Sequence, residues 1–138
     1  MNRTYQCLFL VSLLLVPGCG DNGGRVPVTG TVLFDGKPLE TGHITFGGDQ
    51  GAAGVGAIVN GEFSLSETAN QDGVLPGKYA VLIHSWIEER GSVRADGSFS
   101  PGITRIPLTY LDPAKSGLTA EVKADEANRF LFELKSEP

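Results

Sequence analysis

From residue 26 onward, apolar and polar positions alternate with a period of two, the pattern that sends successive side chains to opposite faces of an extended strand. Val28, Val32 and Phe34 fall on one side of the first run, with Thr29, Thr31 and Leu33 on the other. Asp35-Gly36 is then a turn signal, and Ile44-Thr45-Phe46 resumes the alternation, so a hairpin or a corner is predicted there. The next signal is sharper. Residues 55–59 are followed by Asn60-Gly61, the preferred type I′ pair, and by Glu62-Phe63-Ser64-Leu65-Ser66, which places Phe63 and Leu65 on one face of a hairpin. Residues 73–77 (GVLPG) lead into 78–86 (KYAVLIHSW), apolar on both faces and rich in β-formers, the pattern of a central strand. Strands are also predicted near 118–123 and 128–135, with Leu118, Ala120 and Val122, then Phe130, Phe132 and Leu134, turned inward. Residues 87–105 are polar and hold three glycines, which predicts a long loop with a small hairpin at Asp96-Gly97. No stretch carries the apolar stripe of an amphipathic helix, apart from a single helical turn at 112–115. Seven short strands separated by turns predict an all-β antiparallel sandwich, with Phe63, Tyr79, Val81, Ile83, Val122, Phe130 and Phe132 sharing its core.

The amino terminus follows a different pattern. Arg3 lies in a short polar leader, and residues 7–16 (CLFLVSLLLV) form an apolar stretch of ten. As a helix it would span ~15 Å, half of a ~30 Å hydrocarbon core, so it reads as a signal-peptide helix rather than a permanent transmembrane one. Leu15-Val16-Pro17-Gly18-Cys19 resembles the lipobox of bacterial lipoproteins, with an unusual Pro17. That resemblance implies cleavage before an acylated Cys19, which would anchor the chain to a membrane. The expected organisation is a signal peptide over 1–18, a flexible tether over 19–25 (CGDNGGR) and one domain over 26–138. Cys7 would leave with the signal segment, so no disulfide or thiol chemistry is expected in the domain.

With 138 residues, 41% of them hydrophobic, the chain suits one modest core and leaves no room for a second domain. Its formal charge is −5, and losing Arg3 with the signal segment would take it to −6. With no cluster of Lys or Arg, this balance argues against a nucleic-acid partner or a polybasic membrane patch.

Candidate chemistry is sparse. His43 and His84 are the two histidines, and neither stands in a metal-type spacing such as H-x-x-x-H. Each reads as a surface-facing or hydrogen-bonded structural residue. Gly91-Ser92-Val93 lacks the second glycine of a hydrolase elbow, and the glycines at 47–56 lack the lysine and helix of a phosphate loop. No catalytic residue, metal site or cofactor is expected. A ligand or partner surface, if present, is expected on the 87–105 loop, with Trp86 at its base, Tyr110 nearby and Glu88, Arg90 and Arg94 as its charged groups. Trp86 and Tyr110 read either as aromatic faces for a sugar or peptide or as core edges, and Tyr79 as a corner latch or a surface tyrosine.

Gly30-Thr31-Val32, Asp35-Gly36-Lys37-Pro38-Leu39, Ile44-Thr45-Phe46, Gly61-Glu62-Phe63, Pro76-Gly77-Lys78-Tyr79-Ala80-Val81, Ile106-Pro107-Leu108-Thr109-Tyr110 and Ser116-Gly117-Leu118-Thr119 occur in that order. Together they resemble small bacterial lipoproteins whose mature part is a carboxypeptidase regulatory-like, or transthyretin-like, domain. The resemblance runs from about Thr29 to Leu134 and departs at Ile58-Val59-Asn60, where the family pattern has a Thr-Asp-x-Asp type of turn. It implies a seven-stranded prealbumin-type Greek-key sandwich acting as a non-catalytic envelope module, structural or bound to an envelope protein or glycan. One transthyretin-like branch is a purine-pathway hydrolase, but its Tyr-Arg-Gly-Ser carboxyl terminus is replaced here by Leu134-Lys135-Ser136-Glu137-Pro138.

Overall fold

The computed structural model describes residues 23–48, 51–68 and 71–136. The expected signal helix, Cys19 and most of the tether lie outside the described residues. The fold is all-β. One curled sheet contains β1 (Val28–Phe34), β2 (Lys37–Pro38), β3 (Thr41–Gly48), β4 (Gly51–Val59), β5 (Glu62–Ser64), β6 (Ser66–Thr68), β7 (Gln71–Asp72) and β8 (Gly77–His84). A separate two-stranded ribbon of β9 (Trp86–Glu88) and β10 (Ile103–Thr104) follows, and β11 (Thr119–Val122) and β12 (Asn128–Leu134) complete the main sheet. Its path runs β11-β8-β3-β4-β5-β1-β12. Among the described residues no helix is long and apolar enough to cross a membrane.

The turns follow their residue types. Asn60 and Gly61 both adopt positive φ, 50° and 82°, the type I′ geometry that matches strand twist, and β4 and β5 pair across them as Ile58 with Phe63 and Val59 with Glu62. Asp35 and Gly36 do the same between β1 and β2, at 48° and 79°. That hairpin reaches one residue past Pro38, where the Leu39 N–H donates to the Val32 carbonyl at 3.0 Å while the Val32 N–H donates to the Gly61 carbonyl; β3 then leaves β1 and pairs with β4 and β8. The link from β1 to β3 is therefore a corner.

One pairing departs from the expected antiparallel pattern: β1 and β12 run parallel and in register from Val28 beside Asn128 to Phe34 beside Leu134. No hairpin joins these strands, so connection length places no constraint on their direction. The helical turn predicted at 112–115 is a hydrogen-bonded turn in which the Asp112 carbonyl accepts from the Lys115 and Ser116 N–H groups, and the 3₁₀ helix lies just before it, at Leu108–Leu111. The segment expected as a long loop is largely organised into the β9–β10 ribbon and a smaller hairpin.

The core gathers where the sheet curls onto itself. The ring centre of Phe46 on β3 lies 6.5 Å from that of Phe63 on β5, 5.9 Å from Tyr79 on β8, and 5.8 and 6.2 Å from Phe130 and Phe132 on β12. Val28, Val32, Ile44, Val81, Ile83 and Leu134 are wholly buried around them, while Tyr79 and Phe130 are half-buried at the margin. Gly30 makes room for this closure, because a Cβ there would lie 2.2 Å from the Phe130 carbonyl oxygen and 2.7 Å from the Phe63 ring. Tyr79 is a latch: its hydroxyl donates to the Leu75 carbonyl at 2.6 Å, four residues upstream.

Phe132→Ala is expected to lower stability by ~3–5 kcal/mol, and Phe130→Ala by less because that ring is half-exposed. Equilibrium urea unfolding at constant m-value measures both. A larger loss at Phe130 than at Phe132 would contradict the assigned packing.

Candidate functional site

The segment after β8 leaves the sheet at Ser85. This residue is buried, its hydroxyl donates to the Thr41 carbonyl at 2.6 Å, and its own carbonyl accepts from the Arg105 N–H at 2.8 Å. The two ends of the 86–104 arm are thereby tied to one buried point. Within the arm, Trp86 pairs with Thr104 and Glu88 with Ile103. Beyond them Val93 faces Phe99, Arg94 N–H donates to the Ser98 carbonyl, and Ser100 N–H donates to the Ser92 carbonyl. Asp96 and Gly97 form its tip: Gly97 has φ of 81°, and the Asp96 carboxylate accepts from the Ser98 N–H and hydroxyl at 2.9 and 2.6 Å, which holds that carboxyl below the usual range.

Four of the five residues expected at a partner surface meet on this arm. Arg94 donates through Nε and a terminal nitrogen to Glu88 at 2.9 and 2.8 Å, and the Ser100 hydroxyl with the Arg94 guanidinium holds the Glu88 carboxyl below the usual carboxylate range. Trp86 is half-buried and packs over Gly102, where a Cβ would come within 3.1 Å of the indole and 3.3 Å of the Arg90 Cβ. Arg90 is exposed. Tyr110 does not join them. It is buried on the 3₁₀ helix, and its hydroxyl accepts from the Lys135 N–H at 2.8 Å, tying the end of β12 to the core instead of presenting a face to a ligand.

The sequence reading missed the arm's apolar residues. Val93 and Phe99 are 69% and 72% exposed, and Ile87 is 58% exposed. Their signal is weak because they are single apolar residues among polar ones, and their opposition depends on a turn at Asp96-Gly97. Beside them lies a shallow depression of about 500 Å³ lined by Glu88, Ser92, Val93, Arg94, Ala95 and Asp96. A second groove, of about 780 Å³, separates β11 from β12 and carries Lys78, Lys123 and Arg129 beside Tyr79 and Phe130.

No protein-family model matches the chain, and no curated protein matches it. Among solved structures, a 9R-lipoxygenase from Cyanothece aligns over 97% of this chain and 18% of its own, at 16% identity and a TM-score of 0.39. Similarity at that level defines no shared fold.

The histidines occupy the opposite face of the sheet from the aromatic core. The β3–β8 register sets His43 directly opposite His84, with ring centres 5.1 Å apart and planes inclined by 16°. His43 is exposed and His84 half-buried; burial and then the neighbouring His43 push the His84 pKa down, against an upward pull from Glu89. Among the described residues, no group of three His, Cys, Asp or Glu side chains is placed to hold a metal ion.

Because the folded pKa of Glu88 lies below its unfolded value, its stabilisation of the arm is complete above the ordinary carboxylate range and is lost as the pH falls through the folded pKa. In Arg94→Ala the Glu88 midpoint is expected to rise, with amide protection over 92–100 fading at a higher pH than in the parent. NMR titration checks both; an unchanged Glu88 midpoint would contradict the pairing.

Proposed function

We propose that this chain is a non-catalytic, protein-interaction module of the bacterial cell envelope, exported and held at a periplasmic or outer surface by an acylated Cys19, with the 86–104 arm as its docking surface. The observation that carries the reading is the exposure of Val93 and Phe99 side by side on an ordered arm. Large apolar side chains held in water by a hydrogen-bonded scaffold lose that unfavourable hydration when a partner covers them, and the Arg94–Glu88 ion pair beside them suits the edge of an interface. The arm also requires little reordering on binding, since its tip and base are already hydrogen-bonded.

The finer architecture belongs to the same proposal: a seven-stranded Greek-key sandwich of the prealbumin type, as in carboxypeptidase regulatory-like domains. The sheet path through seven strands supports it, as do the ring contacts of Phe46 with Phe63 and Phe132, which join β3 to β5 and β12 across the core. Anchoring rests on the lipobox resemblance at residues 15–19. Full acylation supplies the two chains that stable membrane attachment needs.

One experiment tests anchor and surface together. The full chain is expressed in a bacterial host with a photoreactive residue at position 99, or at position 131 as an exposed control on β12. Detergent-phase partitioning lost in Cys19→Ser, with crosslinking to a discrete envelope protein from position 99 alone, is expected. Mass spectrometry showing unmodified Cys19 would end the anchor proposal, and equal or absent crosslinking at the two positions would end the arm proposal.

A further inference from the structure

The chain has two histidines, far apart in sequence, and the strand register makes them direct neighbours on one face of the sheet. Among the described residues neither imidazole makes a hydrogen bond, so their ring nitrogens are not committed to the fold. The spacing is informative. A cation held by two imidazole nitrogens at ~2.0–2.1 Å and near the tetrahedral angle sets the ring centres ~5 Å apart. The observed separation is 5.1 Å. The planes lie nearly face to face, so both rings must turn about χ2, the broad terminal torsion of histidine, to aim a nitrogen at a common point. Ala57 is the β4 partner of His43 and is exposed like it, so the neighbour on that side of the ring is a single methyl group.

We propose that His43 and His84 form a two-imidazole chelate for a late first-row divalent cation, zinc or copper(II), with water in the remaining coordination positions. Imidazole suits these ions, whereas magnesium and calcium favour oxygen ligands. Both strands lie within the hydrogen-bonded sheet, β8 between β3 and β11, so the fold sets the spacing before any ion arrives. His43 is exposed, which leaves the pair open to ions from solvent. Spacing rules for adjacent ligands on a helix overlook such a pair, because here the chelating geometry comes from strand pairing.

The test uses the untagged full chain in detergent micelles, titrated with zinc at neutral pH while the carbon-bound imidazole protons are followed by NMR. Both histidine signals are expected to shift together with one midpoint, with no response to magnesium. In His43→Asn the His84 midpoint is expected to weaken by about tenfold or more, because the second ligand's high effective concentration is lost, and His84→Asn should do the same to His43. Zinc should raise the Tm of the parent and of neither variant; the variants' own Tm without zinc shows that the sheet is intact. Absence of any shift at millimolar zinc, or a partner histidine that keeps its midpoint in the single variants, would overturn the chelate.

Discussion

The Phe46 ring is the contact on which the rest of the molecule depends. It sits on β3, yet its aromatic neighbours come from β5, β8 and β12, strands spread along the described chain. Apolar burial is non-directional, so this convergence needs a backbone arrangement that delivers the rings to one place. The parallel pairing of β1 with β12 does so by bringing the last strand beside the first, and Gly30 lets the two backbones close over Phe63. A side chain at Gly30 would collide with the Phe130 carbonyl and separate β1 from β12.

That closure has two consequences outside the core. It leaves β11 and β12 as the ends of the sheet path, with a groove between them. It also holds β3 and β8 firmly enough to fix Ser85, whose hydroxyl is bound to Thr41 on β3 and whose carbonyl receives Arg105 at the far end of the arm. The arm is therefore an ordered projection, and Phe99 and Val93 are presented in a defined geometry. On the outer face, the same β3–β8 register aligns the histidines. Arm and histidine pair both depend on an interior that neither touches.

Local rules made much of this legible. Asn60-Gly61 and Asp35-Gly36 form the turns their backbone preferences favour, and the inward positions of β1, β11 and β12 follow their alternation. Tyr79 and Tyr110 behaved differently from each other, one as a corner latch and the other as a buried tie to Lys135, because a hydroxyl's partner depends on tertiary placement. The parallel direction of β12 was not legible for a related reason: no turn connects it to β1. Phe99, Val93 and the histidine pair share this limit. Each matters through a neighbour distant or ambiguous along the chain, and alternation reports the face of a residue but not what stands opposite it.

Native-state hydrogen exchange across a denaturant series measures the central claim, that the sheet closes as one cooperative unit around Phe46. Slowly exchanging amides of β1, β3, β8 and β12 are predicted to converge on one opening free energy with the denaturant dependence of global unfolding, while those of the arm open at lower free energy. A β12 whose amides open well below those of β3, with little denaturant dependence, would show that the last strand is a peripheral addition and would contradict the account.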